Sequence, residues 1–545
     1  MRPTPILALA ALLLAVPAPA PAQHDHDHSA EAEHRIPADA KLGTVTFETS
    51  CSAAAQTGFR RGLALLHHMM YEQAEEQFAA VAAAEPACAM AHWGVAMTLF
   101  HPLWPDRPSP TDFERGAAAL ERAAAGDLAA HERALVEAAQ AFYRDWRTAS
   151  HGDRLAAFEA RLAKAAAAHP DDLDVVALHA LSLIATAPAG DRSLAQQQRA
   201  GEILRGLHGR QAAHPGAIHY GIHAFDHPPL AHRAVDLAHG YDKIAPEVPH
   251  ALHMPTHIFV RLGHWQEVID WNRRSAAAAL ASPVGDAVSH HYPHAADYLM
   301  YAHLQRGEDA AARRLLDELL SHETFQPTFI SAYALAAAPA RLALERGEWA
   351  AAASLPVGLP ESIPWDRSPG ALAIAHYARG LGGARGGDLA LAKSSIAELD
   401  RLQASAREQD QGYWVEQIGI QRQVVAAWLA LAEERTDEAL QAMTRAADLE
   451  DAAEKHPVTP GAVLPARELL GDMLLALDRP AEALAAYEAS LEHSPRRFNT
   501  LARAARAAEA AGNPEGARRH YQELLDVAAG AARPELTRAR EVVGS

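Results

Sequence analysis

Apolar positions recur along the chain at spacings of three and four with polar residues between them, and no window sustains strict alternation. Three-and-four spacing gathers apolar side chains on one helix face, whereas alternation would mark a half-buried strand. Alanine supplies much of the apolar content, which favours helix further. The pattern predicts an all-α protein. Pro and Gly punctuate it at His101–Pro105, at His169-Pro170 and at Ser282–Gly285.

Within this pattern the segments repeat. From Ala55, the first helix carries Gly62, the second carries Ala74 and Phe78, and Pro86 closes the unit; Trp93-Gly94 opens the same phrase again. Units starting at Pro215 and Pro249 follow, with Ala234, Tyr241 and Pro246 in one and the turn glycine Gly263 before Trp265 in the next. A further unit has its turn at Gly307. Leu464–Arg497 shows the pattern most cleanly, with Leu470-Gly471, Ala483, Tyr487, Ser490 and Pro495, and Phe498–Gly530 repeats it with Ala517 and Tyr521. Asp112–Ala168, Asp171–Pro188 and Ser193–Ala213 read as less regular Ala-rich helices.

The unit length is carried most sharply by histidines. His219-x3-His223 and His253-x3-His257 are separated by about 34 residues, the length of one helix-turn-helix unit, so equivalent positions lie side by side along one surface. Histidines four apart share a helix face, and the two pairs should face the same way from neighbouring helices. Aligning Gly263 with Gly307 moves His250, His253 and His257 onto His294, Asp297 and Tyr301. Pro255, between His253 and His257, either kinks that helix or begins it.

These repeats, together with the phrases around His67-His68, Trp93-Gly94, His219–Pro228 and Pro249–Trp265, resemble the tetratricopeptide-repeat superfamily and are similar to exported, His-rich bacterial members of unknown role. The resemblance implies an α-solenoid, a superhelical stack of helix pairs in two blocks. It implies that first helices line a ligand groove and that the ligand is a protein or peptide. His219, His223, His253 and His257 fall on the groove-lining positions of such repeats.

Composition narrows the rest. Residues 1–22 have an apolar core and an Ala-Pro-Ala end, as in a secretory signal peptide, and residues 23–40 form a His- and acid-rich leader expected to be disordered. The repeats then divide into a block at 41–350, a Pro/Gly-rich boundary at 351–390 that includes a flexible stretch at Gly382–Gly387, and a second block at 391–545. No other apolar run is long enough to span a bilayer, so a periplasmic or secreted protein is expected. The 545 residues carry 68 acidic and 49 basic side chains, a net charge of −19 without a basic block, which excludes nucleic acid as a natural partner. Export permits a disulfide between the only two cysteines, Cys51 and Cys88, and two are too few for a thiolate metal site.

The 32 histidines are the anomaly. Imidazole suits copper, zinc, iron and nickel, and pairs on adjacent helices converge several nitrogens on one ion. The candidate ligands are His219, His223, Asp226, His250, His253, His257, His290, His294 and Asp297, with Asp226 also placed to orient a histidine from behind. His67, His68 and His179 rank below them, and Met254, Met300 and Tyr301 stand nearby in sequence. Three functions compete: a protein-docking repeat protein with a Cu, Zn or Fe site; a metal-dependent hydrolase or redox enzyme using the same histidines; and a metal-free peptide scaffold. The chain has no H-E-x-x-H, G-x-S-x-G or phosphate-cradling glycine loop, so a common hydrolase or nucleotide enzyme is not indicated.

Overall fold

In a computed structural model, residues 36–104, 107–188, 190–528 and 530–544 are described. They form a stack of antiparallel helix pairs, and pairing of the strand type is limited to two isolated bridges, Val284 with Ala287 and Val288 with Phe325. The expected all-α solenoid is the fold. The signal peptide and the leader histidines lie outside the described residues.

The repeat grammar works through close helix crossings. Helix Ala53–His67 packs on Tyr71–Ala84, and Ala89–Thr98 follows. The Phe78 ring sits between Gly62 and Gly94, where an added Cβ would come within 2.7 and 2.4 Å of it. Gly471 gives the Tyr487 ring the same room, with a would-be Cβ only 2.5 Å away. The small and aromatic positions read from the sequence are therefore two halves of one contact.

Cys51 and Cys88, at the starts of Ala53–His67 and Ala89–Thr98, are joined by a disulfide with a Cα–Cα distance of 5.0 Å. Closing a loop of this length stabilises by about 4 kcal/mol on the chain-entropy model. Cys51→Ser/Cys88→Ser should lower the urea midpoint accordingly, and an unchanged midpoint would show that the bond adds nothing.

Two expectations need correction. The leader is not free to its end: Ile36 is buried in the core, and Arg61 donates to the Pro37 carbonyl at 2.8 Å. Nor is Gly382–Gly387 a flexible stretch, because Gly382–Gly386 belong to the helix Pro369–Gly386. A Cβ on Gly382 would lie 2.5 Å from the Ala353 backbone nitrogen, and one on Gly383 would lie 2.7 Å from the Asp388 carbonyl. These glycines allow backbones to touch.

The chain also runs through the anticipated boundary without a break in its core. Helix Pro369–Gly386 packs on Phe329–Glu345, and one buried cluster extends from Ile36 to Ala539. The later helices then turn back on the earlier ones. Trp265 donates its indole N–H to the Arg496 carbonyl at 2.8 Å, and Arg497 Nη1 donates to the Tyr301 hydroxyl at 2.9 Å. Between helices Thr436–Ala452 and Ala466–Ala476, the connecting segment passes over the histidine-bearing helices. Tyr298 donates to the carbonyls of Pro457 and Thr459, each at 3.1 Å, and Arg341 donates to those of Gly461 and Ala462, each at 3.0 Å. No described helix is long and apolar enough to cross a membrane.

Candidate metal centre

Helix Pro215–Phe225 starts with proline at its first position, where no N–H is needed, and His214 caps it by accepting from Ala217 N–H. His219 and His223 follow on one face. In the next repeat Pro255 divides the helix into Pro249–His253 and Pro255–Leu262, but Met254 between them keeps helical angles, with φ of −53°. His253 thus stays helical across a kink. Helix His291–Gln305 brings His294 from the following unit.

The result is two triads of buried imidazoles. His219, His223 and His250 form one, and His253, His257 and His294 form the other; within each, one nitrogen per ring lies within 4.8 Å of the others. The triads adjoin, with ring centroids 5.8 Å apart for His223 and His257 and 6.1 Å for His250 and His253. A cavity of about 30 Å³ is lined by His223, His250, His257, His291 and His294, by Leu103, Trp104 and Ile330, and by the returning residues His456, Pro457 and Val458. That volume holds about one small molecule.

Hydrogen bonds fix the tautomers of three rings. His219 donates from Nδ1 to the His67 carbonyl at 2.6 Å. His253 donates from Nδ1 to Asn272 Oδ1 at 2.8 Å, and Asn272 is itself held by donating to the Val268 carbonyl. His257 donates from Nδ1 to Asp226 Oδ2 at 2.9 Å. Each Nε2 is then a bare lone pair, the arrangement of histidines that bind metal. The Nε2 atoms of His253 and His257 are only 3.0 Å apart, and with both rings protonated at Nδ1 no hydrogen lies between them. His219 Nε2, His223 Nε2, His294 Nδ1 and both nitrogens of His250 are buried with no hydrogen-bond partner.

Electrostatics keeps these rings neutral. Burial first, and the neighbouring rings second, hold His219, His250, His253 and His294 well below the ordinary histidine range. Asp226 lies behind the triads. Burial alone would push its carboxyl up, but Lys455 and Arg261 outweigh it and hold the group well below the usual carboxylate range. Arg261 Nε donates to Oδ1 at 2.8 Å and Lys455 Nζ to Oδ2 at 3.1 Å. Asp226 thus orients His257 rather than joining a triad.

This burial gives a pH dependence. His68, His223, His290 and His456 are lowered, chiefly by burial, from 6.5 to about 3. Between those values the unfolded chain binds protons that the folded one refuses. Stability is complete above the unfolded value and falls as pH drops toward the folded one, by about 1.4 kcal/mol per pH unit for each such histidine. Denaturant midpoints of metal-free protein should fall steeply between about pH 7 and about pH 5; a flat profile would mean that these rings are not buried neutral.

Of the remaining candidates, Asp297 stands apart, because both its oxygens accept from Arg341, at 2.7 and 3.2 Å. Tyr301 faces Arg497. His290, whose two nitrogens are buried without partners, adjoins the centre through His291, a ring that spacing did not single out. His68 is satisfied by Tyr241 and the Leu42 carbonyl, and His179 faces Glu159 at 3.5 Å. A third buried group joins His67, one of the lower-ranked candidates, with Asp174 and His214, which the spacing does not single out. There both rings share Asp174 Oδ1, at 2.9 and 3.1 Å, while the other nitrogen of His67 meets the Tyr220 hydroxyl and that of His214 meets the Ala217 N–H. All four ring nitrogens and Asp174 Oδ1 are paired without an ion, while Asp174 Oδ2 is buried without a partner, and the group fixes the helix end whose carbonyl orients His219.

No family model and no curated protein matches the chain. Among solved structures it is similar to the crystal structure of the APC/C hetero-tetramer Cut9-Hcn1, with 11% identity over 90% of this chain and 89% of that one and a TM-score of 0.31. It is also similar to a human IFIT1 dimer with m7Gppp-AAAA, with 12% identity over 81% of this chain and 90% of that one and a TM-score of 0.35.

Proposed function

We propose that this is an exported helical-repeat protein that holds transition-metal ions in a buried, all-imidazole centre, one ion on each triad. The observation that carries the reading is the 3.0 Å approach of His253 Nε2 and His257 Nε2 when both Nδ1 hydrogens are committed elsewhere. Two lone pairs that close repel unless a cation lies between them, and burial disfavours a proton there. Tetrahedral ligation with Zn–N or similar bonds of about 2.0–2.1 Å places nitrogens at about this separation. Six histidines supply the donors, and neither triad contains a thiolate or carboxylate. So little negative charge favours an ion of low charge, and among metals that take imidazole this points to copper in its singly charged state.

The cavity beside the triads sets the scope for chemistry. With three protein ligands each ion keeps an open position, and about 30 Å³ admits a molecule the size of water or dioxygen rather than a peptide. Storage of the ion, or redox chemistry on one small ligand, fits this space better than hydrolysis of a large substrate. The returning segment at His456–Val458 fills the place where a peptide would meet the histidines, which weighs against a metal-free peptide groove at this site. Docking of a protein partner by other faces of the stack rests on the repeat architecture alone.

The test is elemental analysis of protein exported by its own signal, with His24, His26, His28 and His34 changed to Gln so that the leader binds nothing. Leaving the backbone whole keeps Ile36 in the core. About two equivalents of one metal per chain are expected. Protein that stays metal-free after incubation with Cu, Zn, Fe and Ni ions would overturn the reading.

A further inference from the structure

His290 carries the question that the triads leave open. It is 2% exposed, and neither ring nitrogen has a hydrogen-bond partner. Two unpaired imidazole nitrogens in a buried ring are costly unless something else uses them. The surroundings suggest what does. His291 adjoins it, with centroids 4.4 Å apart, and His291 is 5.2 Å from His250 of the first triad. On the outer side, Trp104 packs against His290 at 5.0 Å and against His101 at 5.9 Å. His101 is only partly buried and donates from Nε2 to the Thr98 carbonyl at 3.0 Å, so its Nδ1 keeps a lone pair.

A carboxylate completes this set. Burial holds both His101 and His291 below the ordinary histidine range, and the Glu72 carboxylate nearby opposes that shift in each. Gln326 ties it to the same place, donating to Glu72 Oε1 at 2.6 Å and accepting the His290 backbone N–H at 3.2 Å. Glu72 thus puts negative charge at the outer end of a run of imidazoles that leads inward through His290 and His291 to His250.

We propose that His101, Glu72, His290 and His291 form the loading port of the centre, a transient site for the same class of transition-metal cation, and that the ion passes from it to His250. The inference rests on the metal-centre reading above. A port differs from a final ligand set in that it governs how fast the ion arrives and leaves final occupancy alone.

The experiment uses the full exported chain with the four leader histidines changed to Gln, stripped with a chelator and mixed under reducing, oxygen-free conditions with Cu+, and separately Zn2+, held by a chromophoric chelator. Stopped-flow absorbance follows transfer, and elemental analysis gives final occupancy. His101→Gln and His290→Gln should each slow loading by about tenfold, the lower end of what removing a residue that supports a metal site costs, with unchanged final occupancy. His101→Gln alters a partly exposed ring, so it reports even if His290→Gln perturbs folding, which circular dichroism would reveal. Unchanged loading rates in both variants would overturn the port. So would a drop in final occupancy, which would make these residues permanent ligands. A parent protein that takes up neither ion would instead fail the metal-centre reading, and the port with it.

Discussion

His257→Gln is expected to weaken metal binding by at least about 100-fold, the upper end of what even supporting residues of metal sites cost when removed. In the same variant, the stability of the metal-free protein should change by less than about 1 kcal/mol. The two halves of this expectation belong together. In the unliganded protein, His253 Nε2 and His257 Nε2 oppose lone pairs at 3.0 Å, so no favourable bond is lost there. A glutamine amide placed at the same point donates to His253 Nε2 and removes the repulsion. Asp226 loses one donor but keeps Arg261 and Lys455. If the histidines were a structural hydrogen-bonding set, the substitution would instead leave buried groups unpaired and cost about 1–3 kcal/mol. Competition against a chelator of known affinity and urea denaturation of the stripped protein separate the outcomes; a large stability loss with no change in metal content would sink the metal reading.

The second large effect concerns Arg497→Met, expected to destabilise the whole protein by about 3–5 kcal/mol, as breaking a buried ion pair from one side does. Arg497 is fully buried, donates to Glu468 Oε2 at 3.0 Å, and also pairs with Glu345. Burial alone would lower its pKa, but Glu345, Tyr301 and Glu468 raise it, so it stays charged. Glu345 lies on Phe329–Glu345 and Glu468 on Ala466–Ala476, so this one guanidinium joins early helices to late ones. Removing it strands charge in the core. Adding Glu345→Gln should recover part of the loss, with a coupling of about 1–3 kcal/mol, because the stranded charge goes too. A double variant that loses the sum of the two single losses would mean that the pair is not coupled.

How much of this could be read in the chain depends on whether a residue repeats. His219, His223, His253 and His257 were legible because they recur at the unit length, and aligning Gly263 with Gly307 reached His294. The same alignment promoted Asp297, whose partner Arg341 sits in an Ala-rich helix with nothing to mark it as a counter-ion. Periodicity reports which face a residue occupies but not what the next element brings to it. His291 was missed for a related reason: at the first turn of its helix, adjacent positions differ by a large rotation, and only the docked neighbours decide whether His290 or His291 meets His250. Lys455 and His456 belong to a connecting segment without periodicity, so their destination beside Asp226 and the cavity had no local signal. The glycines near Gly382 carried a signal that was misread, since close packing and flexibility both call for a residue without a side chain.

The returning segment also changes how the molecule should come apart. In an open solenoid each repeat touches only its neighbours, so ends fray and unfolding spreads along the stack. Here Asp226 and Lys455, 229 positions apart in sequence, are held together, as are Tyr301 and Arg497 at a separation of 196. Such closures tie the middle of the chain to its late repeats, make folding wait on distant loop closure, and turn a ladder of local equilibria into one cooperative unit. Amide hydrogens in Pro215–Phe225 and in Phe498–Ala510 should therefore exchange with a shared opening free energy, although more than two hundred residues of chain lie between them.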